Sequence, residues 1–131
     1  MTRSLSALAA LALAWAALAL PARAELRLVM FEQAGCPYCN LWENEIGPIY
    51  PKTPEGQAAP LRKVNLRGPV PEDLELRGKP QFTPTFILVR DGVELKRVEG
   101  YPGEAFFWGL LGNMLQEQPE WNEMQGAAAD G

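Results

Sequence analysis

Apolar positions follow different rhythms along this chain. From Leu5 to Leu20 they run without a break. From Leu26 to Glu32 they fill both alternating sets, with Leu26, Leu28 and Met30 on one side and Val29 and Phe31 on the other. A strand apolar on both faces predicts a central strand covered on each side. After Gln33-Ala34-Gly35, the positions Tyr38, Leu41, Trp42, Ile46 and Ile49 recur at helical spacing. Pro37 suits the first position of that helix, and Gly47-Pro48 kinks or ends it.

Between Tyr50 and Pro60 the prolines and Gly56 mark an irregular stretch, in which Thr53-Pro54-Glu55 can cap one short turn of helix. Leu61 to Leu66 alternates as a weaker strand, and Pro69 to Arg77 is a Pro-rich connection predicted to hold a short helix over Pro71 to Leu76. Thr85 to Val89 is a β-branched and aromatic strand. Asp91-Gly92 then signals a tight hairpin, and Val93 to Val98 returns as its partner. Val98 falls on the opposite side from Val93 and Leu95, so a bulge or twist is expected there. A last helix starts near Gly103 with the stripe Phe107, Leu110, Leu111 and Met114. Gly109 and Gly112 each cost it about 1 kcal/mol against Ala, so packing must hold it. The Gly- and Ala-rich end places residues 119–131 in a disordered tail. The order β-α-β-α-β-β-α predicts an α/β fold, a mixed four-stranded sheet with helices on both faces.

The first apolar run belongs to a different category. Arg3 precedes it, and Pro21 leads into Ala22-Arg23-Ala24 behind it. That order predicts a secretory leader over residues 1–24, cleaved after Ala24, ahead of a domain over residues 25–118. The run is also shorter than the roughly 20 residues that span a bilayer. The formal charge of −4 becomes more negative once Arg3 and Arg23 leave with the leader. An acidic domain lacks the basic footprint of a nucleic-acid binder. No second long apolar segment follows, so no membrane insertion is expected after the leader is removed.

Cysteine and histidine usage narrows the chemistry further. The chain has two Cys, Cys36 and Cys39, and no His. One such chain cannot supply the ligands of a structural zinc site. A c-type haem attachment needs His after the second Cys, where Asn40 stands. The loop between the cysteines is too short for a useful staple. Redox exchange is what remains. Its attacking species is a thiolate, and a helix N-terminus favours negative charge. Cys36 at the helix start is therefore the expected nucleophile, and Cys39, one turn later, the resolving thiol. Pro37 fixes the turn and Tyr38 lines its rim. A Cys pair also suits Cu(I), the main rival. Small copper carriers of the ferredoxin-like type have Met two residues before the first Cys, and here that place is Ala34.

A second constellation, Phe82-Thr83-Pro84-Thr85, precedes the third strand. A strand, Cys36-Pro37-Tyr38-Cys39, a helix, Thr83-Pro84 before a strand, an Asp-Gly hairpin and a last amphipathic helix together resemble the thioredoxin–glutaredoxin superfamily. The resemblance implies a redox-active Cys36–Cys39 disulfide and no other cofactor. It also implies a cis proline at Pro84 facing the Cys pair, with Thr83 offering backbone groups to a bound partner; an X–Pro bond adopts cis for only about 0.5–1 kcal/mol. A trans proline opening an edge strand is the alternative. Cys-Pro-Tyr-Cys is the glutaredoxin form of the motif. The glycine–acid cluster with which glutaredoxins grip glutathione is replaced by Gly100-Tyr101-Pro102-Gly103-Glu104, which argues against a glutathione-dependent reductase. Met30 stands where thioredoxin has a buried Asp. Glu32 is then either a proton acceptor or an exposed carboxylate at a strand end.

Finer similarity lies in Phe31 to Cys39, in Ile46-Gly47-Pro48-Ile49-Tyr50-Pro51 and in Gly100 to Trp108. These segments are similar to the short periplasmic thioredoxins associated with bacterial sulfur oxidation, which are linked to reducing a sulfur-carrier protein with a reactive Cys. The resemblance implies a monomeric periplasmic thiol–disulfide oxidoreductase acting on an exported partner. The periplasm is oxidising, so a reductant there draws electrons from elsewhere, here expected from a membrane thiol transporter. The motif leaves the direction of electron flow open, since potentials in this fold span roughly −270 to −120 mV.

Overall fold

The computed structural model describes residues 23–130; the apolar run Leu5 to Leu20 lies outside them. In chain order the elements are β1 (Leu26–Glu32), α1 (Pro37–Glu45), a 3-10 turn (Tyr50–Lys52), α2 (Pro54–Ala58), β2 (Leu61–Asn65), β3 (Thr85–Arg90), β4 (Val93–Glu99), α3 (Glu104–Gln116) and α4 (Pro119–Ala129). The sheet order is β2-β1-β3-β4. β1 runs parallel to β2, with Leu28 opposite Leu61, and antiparallel to β3, with Leu28 opposite Leu88. The strand with apolar residues on both sides is thus internal, as its pattern requires.

Local chemistry explains several boundaries. Thr53 caps α2 by accepting from the Gly56 amide at 3.0 Å. A Cβ at Gly56 would lie 1.8 Å from the Tyr50 carbonyl oxygen, so no larger residue fits there. The hairpin turn has φ of 48° at Asp91 and 83° at Gly92, the paired positive values that match the twist of the flanking strands. The expected irregularity in β4 is a bulge at Leu95: Leu88 pairs with Lys96, but Val89 pairs with Glu94. The extra residue lets both Leu95 and Val98 pack on the same core.

That core lies on one side of the sheet. Leu26, Leu28, Met30, Phe86 and Leu88 meet Trp42, Ile46, Tyr50, Phe107, Leu111 and Leu115 from the helices and the turn, and both cysteines belong to it. The opposite side gathers Val29, Phe31, Val64, Ile87 and Val89 beneath Leu74, with Leu66, Val70 and Leu76 partly covering them. Among the described residues no helix contributes to this second cluster. The expected covering by helices on both faces is therefore corrected to helices on one face and an irregular segment on the other.

The reason is visible in the backbone bonds of that segment. Pro71 to Leu76 does not form the expected helix, because β4 takes its polar groups. The Glu75 amide donates to the Gly92 carbonyl and the Glu94 amide to the Glu75 carbonyl, both at 2.9 Å. The second short helix, α2, precedes β2 instead of following it. A further correction concerns residues 119–131, where α4 replaces the expected disordered tail over Pro119–Ala129. Pro119 opens this helix. Glu120 accepts from Arg90 at 2.6 and 2.8 Å, and Trp121 packs against the main core.

Two stripes also shift. In α1 and its cap the buried set is Cys39, Trp42 and Ile46, while Tyr38, Leu41 and Ile49 are exposed. In α3 Leu115 is buried where Leu110 was expected, and Leu110 is exposed.

Candidate active site

The site begins where β1 ends. Gln33 to Gly35 turns the chain, with Gly35 at φ 76°, and delivers Cys36 to the N-cap of α1. The Cys36 carbonyl already accepts from the Asn40 amide at 3.2 Å, while the Cys36 Sγ accepts from the Cys39 amide at 3.1 Å. Cys36 and Cys39 form a disulfide, with sulfurs 2.12 Å and Cα atoms 5.3 Å apart. The two residues are 5% and 3% exposed, so exposure does not distinguish them. They differ in that an amide is directed at the Cys36 sulfur. A hydrogen bond to the charged form, at the positive end of a helix, favours a thiolate on Cys36. Pro37 and Tyr38 are exposed, with Tyr38 at the rim of the site.

The second constellation lies at the same end of the sheet. Phe31 pairs with Thr85, which brings Thr83 and Pro84 alongside the loop leading to Cys36. The Thr83–Pro84 bond is cis. Pro84 is buried, Thr83 is half-buried, and the Gly100 amide donates to the Pro84 carbonyl at 2.7 Å. Gln33 joins the two loops, since its Nε2 donates to Thr83 Oγ1 at 3.0 Å. Its Oε1 accepts from Arg67 Nε at 3.2 Å. Gln33 was not singled out from the sequence, because a loop amide has no spacing signature.

Beside Tyr38 a cleft of about 590 Å³ opens along Leu41, Gly100, Tyr101, Pro102 and Gly103. Its loop wall is fastened to the end of α1, because the Tyr101 hydroxyl donates to Glu45 Oε2. Burial, and then that carboxylate, push the Tyr101 pKa above its ordinary value. A separate cleft of about 410 Å³ lies around Arg27, Arg62 and Asp73. There Arg62 pairs with Asp73 at 3.0 Å and Arg27 with Glu25 at 2.6 Å, and no thiol lines it. Among the described residues no three His, Cys, Asp or Glu side chains come together as metal ligands.

A Cys pair at a helix start, beside a cis proline loop on a mixed sheet, defines a thiol–disulfide oxidoreductase. The chain belongs to the thioredoxin-like family, whose domain matches residues 16–115. It is similar to the periplasmic thioredoxin SoxS from Paracoccus pantotrophus, solved in its reduced form, with 54% identity and a TM-score of 0.67 over 69% of this chain and 95% of that one. Likeness to a thioredoxin of Malassezia sympodialis is lower, with 18% identity and a TM-score of 0.47 over 69% of this chain and 75% of that one. For thioredoxin-2 of a malaria parasite the values are 16% and 0.49, over 73% and 89%. These two add nothing to the assignment. No curated protein matches the chain. None of the helices among the described residues is long and apolar enough to cross a membrane.

Proposed function

We propose that this protein is an exported reductant that exchanges electrons with a reactive Cys or a disulfide on a periplasmic partner, such as a sulfur carrier. The observation that carries the reading is the Cys39 amide donating to Cys36 Sγ at the start of α1. Similarity to a periplasmic thioredoxin supports the compartment. In the reduced protein the Cys36 thiolate attacks the partner's disulfide sulfur, and one partner thiolate leaves. Cys39 then attacks Cys36 Sγ, which closes the Cys36–Cys39 disulfide and releases the second partner thiolate. Pro37 and Tyr38, together with Thr83 and Pro84 from the loop before β3, are assigned the binding of the partner. A membrane thiol donor returns two electrons and two protons to the pair.

Trapping tests this directly. Cys39→Ser, expressed with its leader in the source organism, should hold a mixed disulfide through Cys36, whereas Cys36→Ser should hold none. Recovery of one or two small Cys-bearing exported proteins, with a strongly negative potential for the pair, is the expected result. Recovery of many unrelated secreted proteins would identify a general oxidant instead. N-terminal sequencing of the exported protein should begin at Glu25, and a leader retained on it would overturn the cleavage assignment.

A further inference from the structure

We propose that Arg67 and Lys79 form a docking surface for an acidic stretch beside the reactive Cys of the exported partner. The inference rests on the exchange chemistry proposed above and adds the charge of the partner to it. β1 and β2 end side by side, since the Leu66 amide donates to the Glu32 carbonyl at 2.8 Å. The turn after β2 therefore flanks the loop that leads to Cys36. Arg67 Nε donates to Gln33 Oε1 at 3.2 Å, and Gln33 Nε2 donates to Thr83 Oγ1 at 3.0 Å. Lys79 Nζ donates to the Gly68 carbonyl at 3.2 Å, which sets its ammonium beside the same turn. Phe82, 62% exposed, continues this surface to Thr83.

Charge singles out this flank of the site. The chain is acidic, with a formal charge of −4, and most of its cations are neutralised locally. Arg27, Arg62, Lys63, Arg90, Lys96 and Arg97 each pair with a carboxylate. Arg67 and Lys79 form no ion pair among the described residues; their side chains bond a neutral amide and a backbone carbonyl. Glu32, half-buried at the end of β1, pairs with neither. The bond to Gln33 uses only Nε of Arg67, which leaves the two terminal nitrogens to grip a carboxylate. The opposite flank differs. The cleft beside Tyr38 and Leu41 is lined by Glu99 and by no cation, and Glu45 and Glu104 lie near Tyr101. Two neighbouring cations repel each other, and a carboxylate from outside relieves that repulsion. An acidic stretch is thus drawn to the Arg67 flank and turned away from the cleft.

Short peptides test this surface, each carrying one Cys as a mixed disulfide with a coloured aromatic thiol. One set has aspartates on one side of the Cys and the other has lysines there, and each is made with the charges before or after the Cys. Cys36 of the reduced protein attacks the peptide sulfur, and the aromatic thiolate leaves with the electron pair of the broken bond. In one of the two orders the parent should react faster with the acidic peptide, although its own net charge favours the basic one. Added salt should shrink that preference. Lys79→Glu should lower the acidic-to-basic rate ratio by about fivefold, the scale of a lost exposed ion pair, and Arg67→Glu likewise. Lys52→Glu makes the same change in net charge in the 3-10 turn beyond the far end of α1, and should keep the parent's ratio. A parent that prefers the basic peptide in both orders, or shows no preference, would overturn the proposal, as would an equal fall in Lys52→Glu. A parent that releases no aromatic thiolate from any peptide would instead remove the exchange chemistry beneath it.

Discussion

The two faces of the sheet are held by different physics. On the helix side, Trp42 lies at ring-centroid distances of 5.4 Å from Phe86, 5.7 Å from Phe107 and 6.1 Å from Tyr50. This side is an aromatic core, close-packed and apolar. On the other side the anchors of the covering segment are polar. Glu94, 6% exposed, accepts from Arg97 at 2.6 and 2.7 Å and from the Arg77 amide at 2.8 Å. Arg97 in turn donates to the Gly78 carbonyl at 2.9 Å. The cysteines sit on the close-packed side. Attack by one sulfur on another requires fixed geometry, and fixed geometry comes from packed elements more than from loops.

The largest effect should come from the aromatic side. Trp42→Ala removes the ring that links α1, β3 and α3, and should cost about 3–5 kcal/mol in denaturant unfolding. A loss below about 2 kcal/mol would show that the aromatic cluster does not dominate stability.

The polar side should respond to charge and pH. Glu94→Gln weakens charge-assisted bonds and should cost about 1.5–3 kcal/mol at neutral pH. Arg97 first, and the Arg77 amide with it, hold the Glu94 carboxyl below its ordinary value of 4.5 despite the opposing effect of burial. A carboxylate lowered on folding stabilises fully above its unfolded pKa. That contribution fades as pH falls from about 4.5 through the lower folded value. Melting temperature followed from neutral pH into acid should therefore fall less steeply for Glu94→Gln than for the parent. Parallel curves would mean that Glu94 does not anchor the segment through its charge.

The smallest change should strengthen the helix side without touching its core. A Cβ at Gly109, inside α3, would meet nothing within 4 Å. Gly109→Ala should stabilise by about 0.5–1 kcal/mol through helix propensity alone. Destabilisation would mean that α3 depends on close approach at that glycine.

Much of this arrangement is legible in single residues and their near neighbours. The two-sided row Leu26 to Phe31 marks an internal strand, Asp91-Gly92 marks a hairpin, and Cys36-Pro37 marks a helix that opens on a sulfur. Each of these rests on backbone geometry within a few residues, so no distant partner is needed to read it. Thr83 and Pro84 are legible only through a family resemblance, since a Thr-Pro pair alone is equally at home at the edge of a sheet.

Other features depend on what lies across space. Helical spacing places Tyr38, Leu41 and Trp42 on one helix, but contact with β3 and α3 selects Trp42 for the core and leaves Tyr38 and Leu41 beside the cleft. Pro71 to Leu76 stays irregular because β4 offers hydrogen bonds that a short helix would have to forgo. Pro119 to Ala129 becomes a helix because Arg90 and the main core receive Glu120 and Trp121. A short segment with weak propensity takes the conformation that satisfies its backbone and buries its apolar atoms at the lowest free energy. For these segments that choice is set by groups far away in sequence, brought near only when the sheet has formed. The same holds at the site itself, where the loop before Cys36 and the loop holding Thr83 and Pro84 meet only because β1 and β3 pair in register.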